Sequence, residues 1–178
     1  MTPHCSLTWA ARFLLFGALT ISLFSGCDKG LGPLNEVSGF GGRIRFHNWP
    51  PPDSVRDLRI VAFTEFPADS GGIIAQLIAG RANVYPQVGN KGLPLTQQNE
   101  LTYTFTTEGT TLQPGVYAYV VLAQQYGPNI FTDWKPAAVY TLDPATFQPA
   151  PVRVLLHKIT PNIDLDADFH NPPPKPWR

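Results

Sequence analysis

The chain has 178 residues, which is enough for one domain with a hydrophobic core and short for two. Charged residues make up 15% of it and the formal net charge is zero, so it lacks the basic surface that nucleic-acid binding requires. Its 19 prolines and 15 glycines predict many turns, short strands and extended segments. We therefore expect one turn-rich domain and no nucleic-acid partner.

The N-terminus contains an uncharged apolar run of 12 residues, FLLFGALTISLF, directly after Arg12. A helix of this length would measure about 18 Å, at about 1.5 Å per residue, whereas the hydrocarbon core of a bilayer is about 30 Å thick. The run is apolar on every face, which disfavours the alternative of a core helix with one apolar stripe. It is typical of a signal peptide, so residues 1–26 are predicted to direct export and to be removed.

Cys27 follows two residues after this run, in the sequence Leu23-Phe24-Ser25-Gly26-Cys27. The stretch resembles the lipobox of bacterial lipoproteins, although Leu23 stands one position earlier than the leucine usual in that family. The resemblance implies that the sulfur of Cys27 carries a diacylglyceryl group, that the signal peptide is cleaved before it and that the new amino terminus is acylated.

The number and positions of the cysteines agree with a lipidated Cys27. Cys5 lies in the segment to be removed, so the mature chain keeps one cysteine and forms no internal disulfide. No histidine adjoins Cys27 to lower its pKa, so we expect no nucleophilic role. Residues 27–37 are then a lipidated flexible tether, and two or three acyl chains hold a protein firmly on its membrane. The predicted location is a bacterial cell envelope, on the periplasmic or the surface face.

Beyond the tether, alternating apolar residues predict short β-strands. The first strand lies in SGFGGRIRFHNW, where Ile44 and Phe46 alternate with basic side chains until the prolines that follow end it. Residues 53–66 predict a second strand, buried on both faces at its centre. Three further segments carry clear alternation or β-branched residues. They are residues 101–108, 152–158 and 162–169.

The best strand by composition is residues 115–125, with Val116, Ala118, Val120 and Leu122 on one face.

Three segments give weaker signals. Residues 73–82 have apolar side chains at helical spacing but are short and contain Gly80, so we predict a strand or a single helical turn on a sheet edge. Residues 83–100 are predicted to form a long loop with one edge strand, and residues 124–136 to form a loop. The tail of residues 171–178 is proline-rich and is predicted to be extended.

About seven short strands and no clear amphipathic helix predict an all-β, antiparallel sandwich or barrel. The motif Leu112-Gln-Pro-Gly-Val-Tyr117 resembles the strand entry of transthyretin-like, carboxypeptidase-regulatory-like β-sandwiches. Residues 42–46 and 163–169 stand where such domains place their first and last strands. The resemblance covers residues 38–170 and implies a Greek-key, Ig-like sandwich that serves as a non-catalytic accessory or adhesive module. Fold alone does not determine function.

The last predicted strand carries Asp164, Asp166 and Asp168 on one face, about 6.6 Å apart at about 3.3 Å per residue. Such carboxylates could bind calcium. An EF-hand loop is excluded, because Phe169 occupies the position that needs glycine and Lys175 the position that needs glutamate. The alternative is a solvated acidic strand that discourages edge pairing.

Other chemistry has little support in the sequence. No histidine belongs to a zinc-binding motif, no serine stands in the G-x-S-x-G motif and no phosphate-binding loop is present, so no metal or cofactor is predicted. The isolated histidines of the mature chain are His47, His157 and His170, and its serines are Ser38, Ser54 and Ser70.

Aromatic residues gather in the segment QQYGPNIFTDWKP, which contains Tyr126, Phe131 and Trp134, while Trp49 lies in another predicted loop. Exposed rings on loops can stack on sugars or insert into a partner protein, so these residues are candidates for contact with a glycan or an envelope protein. The alternative is that the rings cover the open ends of the core.

The favoured function is a lipid-anchored, non-catalytic envelope protein that acts as a binding or accessory module. One alternative is a structural subunit of a surface assembly that docks by strand addition. Another is a hydrolase or metal-binding enzyme in which Asp133, Asp143 and the aspartates of the last strand converge. An aromatic loop patch would favour the binding module, an uncovered edge strand the subunit and a deep polar pocket the enzyme.

Overall fold

The computed structural model describes residues 37–175, which contain ten β-strands, one α-helix and a single turn of 3-10 helix at Pro52–Ser54. The predictions for the signal peptide, Cys27, the rest of the tether up to residue 36 and the last three residues lie outside this range. The strands are β1 Gly39–His47, β2 Asp57–Phe63, β3 Ala82–Tyr85, β4 Glu100–Thr106, β5 Gly115–Tyr117, β6 Tyr119–Gln125, β7 Trp134–Val139, β8 Val152–Val154, β9 Ile159–Thr160 and β10 Leu165–Asp168, and helix α1 is Ser70–Ile78.

Two four-stranded sheets and one two-stranded ribbon form an all-β sandwich, as predicted. Sheet A has the order β10-β1-β4, with β9 also paired to β1, and sheet B has the order β3-β2-β6-β7. Strands β5 and β8 form the ribbon. Most neighbours are antiparallel, but β1 runs parallel to both β9 and β10. The first and last strands of the domain are therefore side by side, which sequence reasoning did not predict.

The main core lies between the inner faces of the two sheets. The predicted alternation in β1 is confirmed, because Ile44 and Phe46 are buried. Strand β2 is buried on both faces, also as predicted, because the outer face of sheet B carries a second apolar cluster. Ile73 of α1 and Phe147 pack against that cluster. Its buried members are Val61, Phe63, Ala82, Tyr119, Val121 and Val139.

The prediction for residues 73–82 is wrong, because a nine-residue helix occupies Ser70–Ile78. Asp69 caps its N-terminus by accepting a hydrogen bond from the backbone N–H of Gly72 at 2.6 Å. The helical spacing of apolar residues was therefore the correct signal. The edge strand predicted in residues 83–100 is confirmed as β3, which lies at the border of sheet B.

The single strand predicted for residues 115–125 is divided in two. Its first part, β5, pairs with β8, while its second part, β6, pairs with β2 and β7. Val120 and Leu122 are fully buried as expected, but Val116 is 51% exposed because β5 lies outside sheet B. The prediction of one shared face therefore fails at the point where the chain changes sheets.

The predicted loop of residues 124–136 is also too long, because β7 begins at Trp134. Pro136 lies in β7, an edge strand of sheet B, and pairs with Ala123 of β6. The register of the β6–β7 pairing shifts between Leu122 and Ala123, directly beside this proline. A proline cannot donate to a ladder and is tolerated at an edge or a bulge, which explains why the sequence signal was weak.

The motif that contains Leu112 and Tyr117 has a structural role. Leu112 is fully buried, and the buried hydroxyl of Tyr117 donates to the carbonyl of Gln113 at 2.9 Å. The backbone N–H of Gln113 in turn donates to this hydroxyl at 3.0 Å. These bonds tie the turn before β5 to the strand itself.

Strand direction defines two ends of the domain. The first is the entry end, where the chain enters β1: the N–H of Thr107 donates to the carbonyl of Ser38 there at 2.9 Å. Thr111, four residues further on, donates to Oδ1 of Asn83 at 2.6 Å, which places the start of β3 and the neighbouring helix at the same end. At the other end, the distal end, β1, β6 and β10 finish and β2 and β7 begin.

Arg59 fastens the long excursion after β3 to sheet B. Its guanidinium is nearly buried and donates to Asp57 at 2.6 Å. It also donates to the carbonyls of Pro86 and Gln87 at 2.6 and 2.8 Å, and to that of Asn90 at 2.8 Å. The planar guanidinium of arginine suits this task because it has five N–H donors. It can pair with the charge of Asp57 and donate to the three carbonyls at the same time.

We expect Arg59→Met to destabilise the protein by about 3–5 kcal/mol, because it leaves a nearly buried carboxylate and three carbonyls without their donor. Chemical denaturation would measure the change. Arg56→Met is the matched control, since Arg56 is exposed three residues away, and it should change stability by about 0.5 kcal/mol or less. Equal losses in the two variants would contradict this role for Arg59.

Candidate functional site

A groove of about 550 Å³ lies at the distal end. Its walls come from the segment after β1, from the junction of β6 and β7 and from the segment after β10. The lining residues are Pro50, Asp53, Ser54, Gln124, Tyr126, Lys135, Phe169 and Lys175. The volume is within the range of about 300–1,000 Å³ that is usual for small-molecule sites.

Gln124 is the most unusual residue of the groove. Its side chain is 2% exposed, and its Nε2 donates to the carbonyl of Ser54 at 3.1 Å. Its Oε1 is buried and accepts no hydrogen bond from any residue that the structure describes. A buried acceptor without a donor costs about 1–3 kcal/mol. Gln124 is one of the residues that line the groove, so an unsatisfied acceptor belongs to the groove wall.

The charges of the groove are predominantly positive. Lys135 and Lys175 contribute two ammonium groups, against the single carboxylate of Asp53. Lys135 lies directly opposite Gln124 in the β6–β7 pairing. Side chains directly opposite each other share a face of the sheet, with Cβ atoms about 4.5–5.5 Å apart. One ligand could therefore contact both residues.

The loop between β6 and β7 is ordered by its own hydrogen bonds. The carboxylate of Asp133 accepts from the N–H of Asn129 at 2.9 Å and from the hydroxyl of Thr132 at 2.9 Å. The indole N–H of Trp134 donates to the carbonyl of Ile130 at 2.9 Å. This network holds the loop tip away from the sandwich, and Ile130 and Phe131 at the tip are 63% and 70% exposed.

The structure separates the predicted aromatic residues into different roles. Tyr126 lines the groove and is 44% exposed, whereas Phe131 stands on the loop tip and Trp134 braces the loop. Trp49 matches the alternative interpretation, since its ring lies 4.8 Å from the rings of both Phe46 and Phe169 at the end of the core. Only Tyr126 of the predicted ligand-facing residues is part of the groove.

The aspartates of the last strand face polar and basic partners. Asp164 accepts from the backbone N–H of Arg43 at 2.9 Å and lies 3.4 Å from the guanidinium of Arg45. A carboxylate oxygen of Asp166 is 3.0 Å from Nε2 of His47. These contacts form a row of paired side chains along the outer face of β1 and β10.

Asp168 ends this row by accepting from the amide of Asn48 at 2.8 Å and from the N–H of His170 at 2.9 Å. Residues 37–175 contain no group of three or more His, Cys, Asp or Glu side chains arranged to hold a metal ion. The pairing favours the interpretation of a structural acidic strand, and calcium binding stays a prediction.

The carboxylates proposed for an enzyme do not all converge. Asp133 belongs to the loop before β7, whereas Asp143 lies beyond the other end of that strand, where its Oδ1 accepts from the N–H of Ala145 at 3.1 Å. The aspartates at and just before β10 border a second cavity of about 280 Å³, and Thr141 and Pro144, which are close to Asp143 in sequence, line the same cavity. The structure therefore separates Asp133 from the other carboxylates, and the enzyme hypothesis stays a prediction.

An open edge strand is present in sheet A. Strand β4 pairs with β1 on one side, and within residues 37–175 its other side pairs with no strand. Thr102 and Thr104 are exposed there, and β4 has neither the proline nor the lysine that commonly protects an edge. Docking by strand addition therefore stays a hypothesis with a defined location.

Sequence reasoning missed most of the groove, including Asp53, Gln124, Lys135 and Lys175. One signal was available: the apolar strand YVVLAQQ ends in two glutamines, and both are buried. Polar side chains at the end of a buried strand need a partner, so Gln124 could have been marked as a candidate.

Comparisons with known proteins add no assignment: no protein-family model, no curated protein and no solved structure matches this chain. The transthyretin-like resemblance stays a prediction.

The hydrogen bond from Asn48, with that from the N–H of His170, lowers the pKa of Asp168 below its ordinary 3.8, and the imidazole of His170 adds to the effect. A carboxyl group whose pKa is lower in the folded than in the unfolded protein stabilises the fold at any pH above its unfolded-state pKa. This stabilisation is lost as the pH falls through the folded-state pKa. Asn48→Gly should raise the pKa of Asp168 toward 3.8, because it removes the donor and tolerates the positive φ of 54°. Carboxyl NMR titration would measure it.

Asn162→Gly is the matched control, because Asn162 also has a positive φ, of 62°. It should leave the pKa of Asp168 unchanged. An identical Asp168 titration in wild type and Asn48→Gly would show that the amide of Asn48 does not act on this carboxyl.

Proposed function

We propose that this protein is a lipid-anchored, non-catalytic binding module of a bacterial cell envelope. It is held at Cys27 and presents the groove and the β6–β7 loop to its ligand. The lipobox-like sequence before Cys27 and the polar, glycine-rich segment after it support the anchor. The groove and the ordered loop support the binding role, since rigid scaffolds commonly carry binding residues on their loops.

One observation carries the proposal: the chain enters the domain at one end, and the groove lies at the other. Strand β1 has nine residues, so it spans about 30 Å at about 3.3 Å per residue. The tether of residues 27–37 adds a reach of at most about 36–40 Å, at about 3.3–3.6 Å per residue. An anchor at Cys27 would thus attach the domain at its entry end, and a tether of this reach would allow the distal end to face away from the lipid and stay open to ligands.

The residues of the distal end suit binding. Tyr126 offers an exposed ring beside buried and charged polar groups, which is the usual composition of a small-molecule site. Phe131 adds an apolar tip on a loop already fixed by hydrogen bonds, so contact there costs little further conformational entropy.

No helix of residues 37–175 has the length and apolar content needed to cross a bilayer.

Exposed apolar side chains occur at the entry end as well as on the tip of the β6–β7 loop, and those at the entry end are compatible with a nearby bilayer. Helix α1 turns Ile74, Leu77 and Ile78 outward, with Ile78 83% exposed, while Gln76 is buried. Leu156 is 66% exposed and precedes His157, whose N–H donates to the hydroxyl of Ser38 at 2.8 Å. Water contact with these side chains is unfavourable, and a nearby bilayer would reduce it.

Cys27→Ala should move the protein from the membrane fraction to the soluble fraction, because two or three acyl chains are lost together. Detergent phase partitioning of the full chain, expressed in a bacterium, would measure the change. Cys5→Ala is the matched control and should leave the protein in the membrane, since Cys5 is removed with the signal peptide. Unchanged partitioning of Cys27→Ala would refute the anchor.

The orientation predicts different lipid proximity for two isoleucines, Ile78 at the entry end and Ile130 at the distal end. Ile78→Cys and Ile130→Cys, each labelled with a fluorophore on the acylated protein, would be placed in vesicles that contain nitroxide lipids. The label at position 78 should be quenched much more strongly than the label at position 130. Equal quenching, or stronger quenching at position 130, would reverse or remove the proposed orientation.

A further inference from the structure

We infer that the distal groove binds an acidic carbohydrate, a sugar that offers hydroxyl donors, a carboxylate and an apolar ring face. This inference deepens the proposed function and rests on it, since it takes the groove to be the ligand site. It depends on three properties of the groove wall: a buried acceptor, a positive charge balance and an exposed aromatic ring.

The acceptor is Oε1 of Gln124, and its orientation is fixed. Because Nε2 donates to the carbonyl of Ser54 at 3.1 Å, turning the amide over would place two oxygen atoms against each other. Oε1 therefore stays an acceptor, and no described residue donates to it. A ligand that completes this site must bring an O–H or N–H group, and sugars carry hydroxyls around the whole ring.

The charges select a negative ligand. The charged residues that line the groove are two lysines, Lys135 and Lys175, and one aspartate, Asp53, so the lining has a net positive charge that a neutral occupant would not offset. Lys135 is the cross-strand neighbour of Gln124. A ligand that donates a hydrogen bond to Oε1 of Gln124 and places an anionic group beside Lys135 therefore needs these two groups at adjacent positions. A sugar acid has hydroxyls and a carboxylate on the same ring.

The ring of Tyr126 supplies the apolar part of the site. It is two residues beyond Gln124 and lines the same groove, with 44% of its surface exposed. An exposed aromatic face can pack on the C–H face of a pyranose while its hydroxyl stays hydrated. A bare inorganic anion would use the lysines but neither this ring nor Oε1 of Gln124.

Calorimetric titration of the full chain in detergent would test the inference with a matched pair of probes, methyl β-D-glucuronide and methyl β-D-glucoside. They differ at one carbon, which carries a carboxylate in the first and a hydroxymethyl group in the second. We expect the glucuronide to bind about tenfold more tightly, as for one charge-assisted contact. Equal affinities would overturn the acidic class. Acetate binding as tightly as the glucuronide would reduce the groove to a simple anion site and also overturn it.

Two variants separate the contributions. Gln124→Met should weaken binding of both glycosides by about threefold to tenfold, because it removes the acceptor. It also removes the hydrogen bond from Nε2 to the carbonyl of Ser54, so the stability of the unliganded variant would be measured alongside. Lys135→Gln should bring the affinity for the glucuronide close to that for the glucoside. Lys158→Gln, an exposed lysine at the entry end, should change neither.

The outcomes distinguish the inference from the proposed function. Binding of neither glycoside, or binding that Gln124→Met and Lys135→Gln leave unchanged, would overturn the inference. The partitioning of Cys27→Ala reports on the anchor separately and does not depend on the ligand. If both glycosides bind equally and Gln124→Met weakens the binding of both, the groove would remain a ligand site of a tethered binding module. The preference for an acidic ligand would then be rejected.

Discussion

The parallel pairing of β1 with β10 is the constraint on which the distal end depends. Inner positions of the two strands bury Ile44 beside Leu165 and Phe46 beside Ala167, while the outer positions pair basic or amide groups of β1 with aspartates. Exposed ion pairs contribute only about 0–1 kcal/mol each, so the apolar pairs supply most of the stability. The charges fix the register, because a slip of one residue would turn aspartates toward the core. With β10 fixed, Phe169 and Lys175 are brought to the groove.

Local patterns predicted the strands whose two faces differ. Strand β4 alternates over its whole length and β1 over its second half, so their faces could be read from neighbouring residues alone. The signal was weak in α1, whose apolar residues have helical spacing but which carries glycines in its first turn and leaves Ile74 and Ile78 exposed while Gln76 is buried. Strand β7 carries a proline, and the segment of β5 and β6 changes sheets within one continuous apolar run.

The groove could not be predicted because it combines distant parts of the chain. Asp53, Gln124 and Lys175 come from three segments that the sandwich topology brings to one end. The aspartates show the same limit. Their shared face was predicted correctly from the period of two, but their partners lie on β1, about 120 positions earlier, as in the hydrogen bond between Arg43 and Asp164. Sequence spacing gives the face that a side chain occupies and not the group opposite it.

Both ends of the sandwich carry groups that the described residues leave unsatisfied. A buried acceptor without a donor occurs at each end, Oε1 of Gln124 at the distal end and Oε1 of Gln76 at the entry end. Exposed apolar side chains also occur at both ends, as at Ile78 and at Phe131. The distal end differs because its acceptor belongs to a residue that lines a groove. The strands between the two ends share one buried core, so substitutions at the groove are far enough from the entry end to act independently of it.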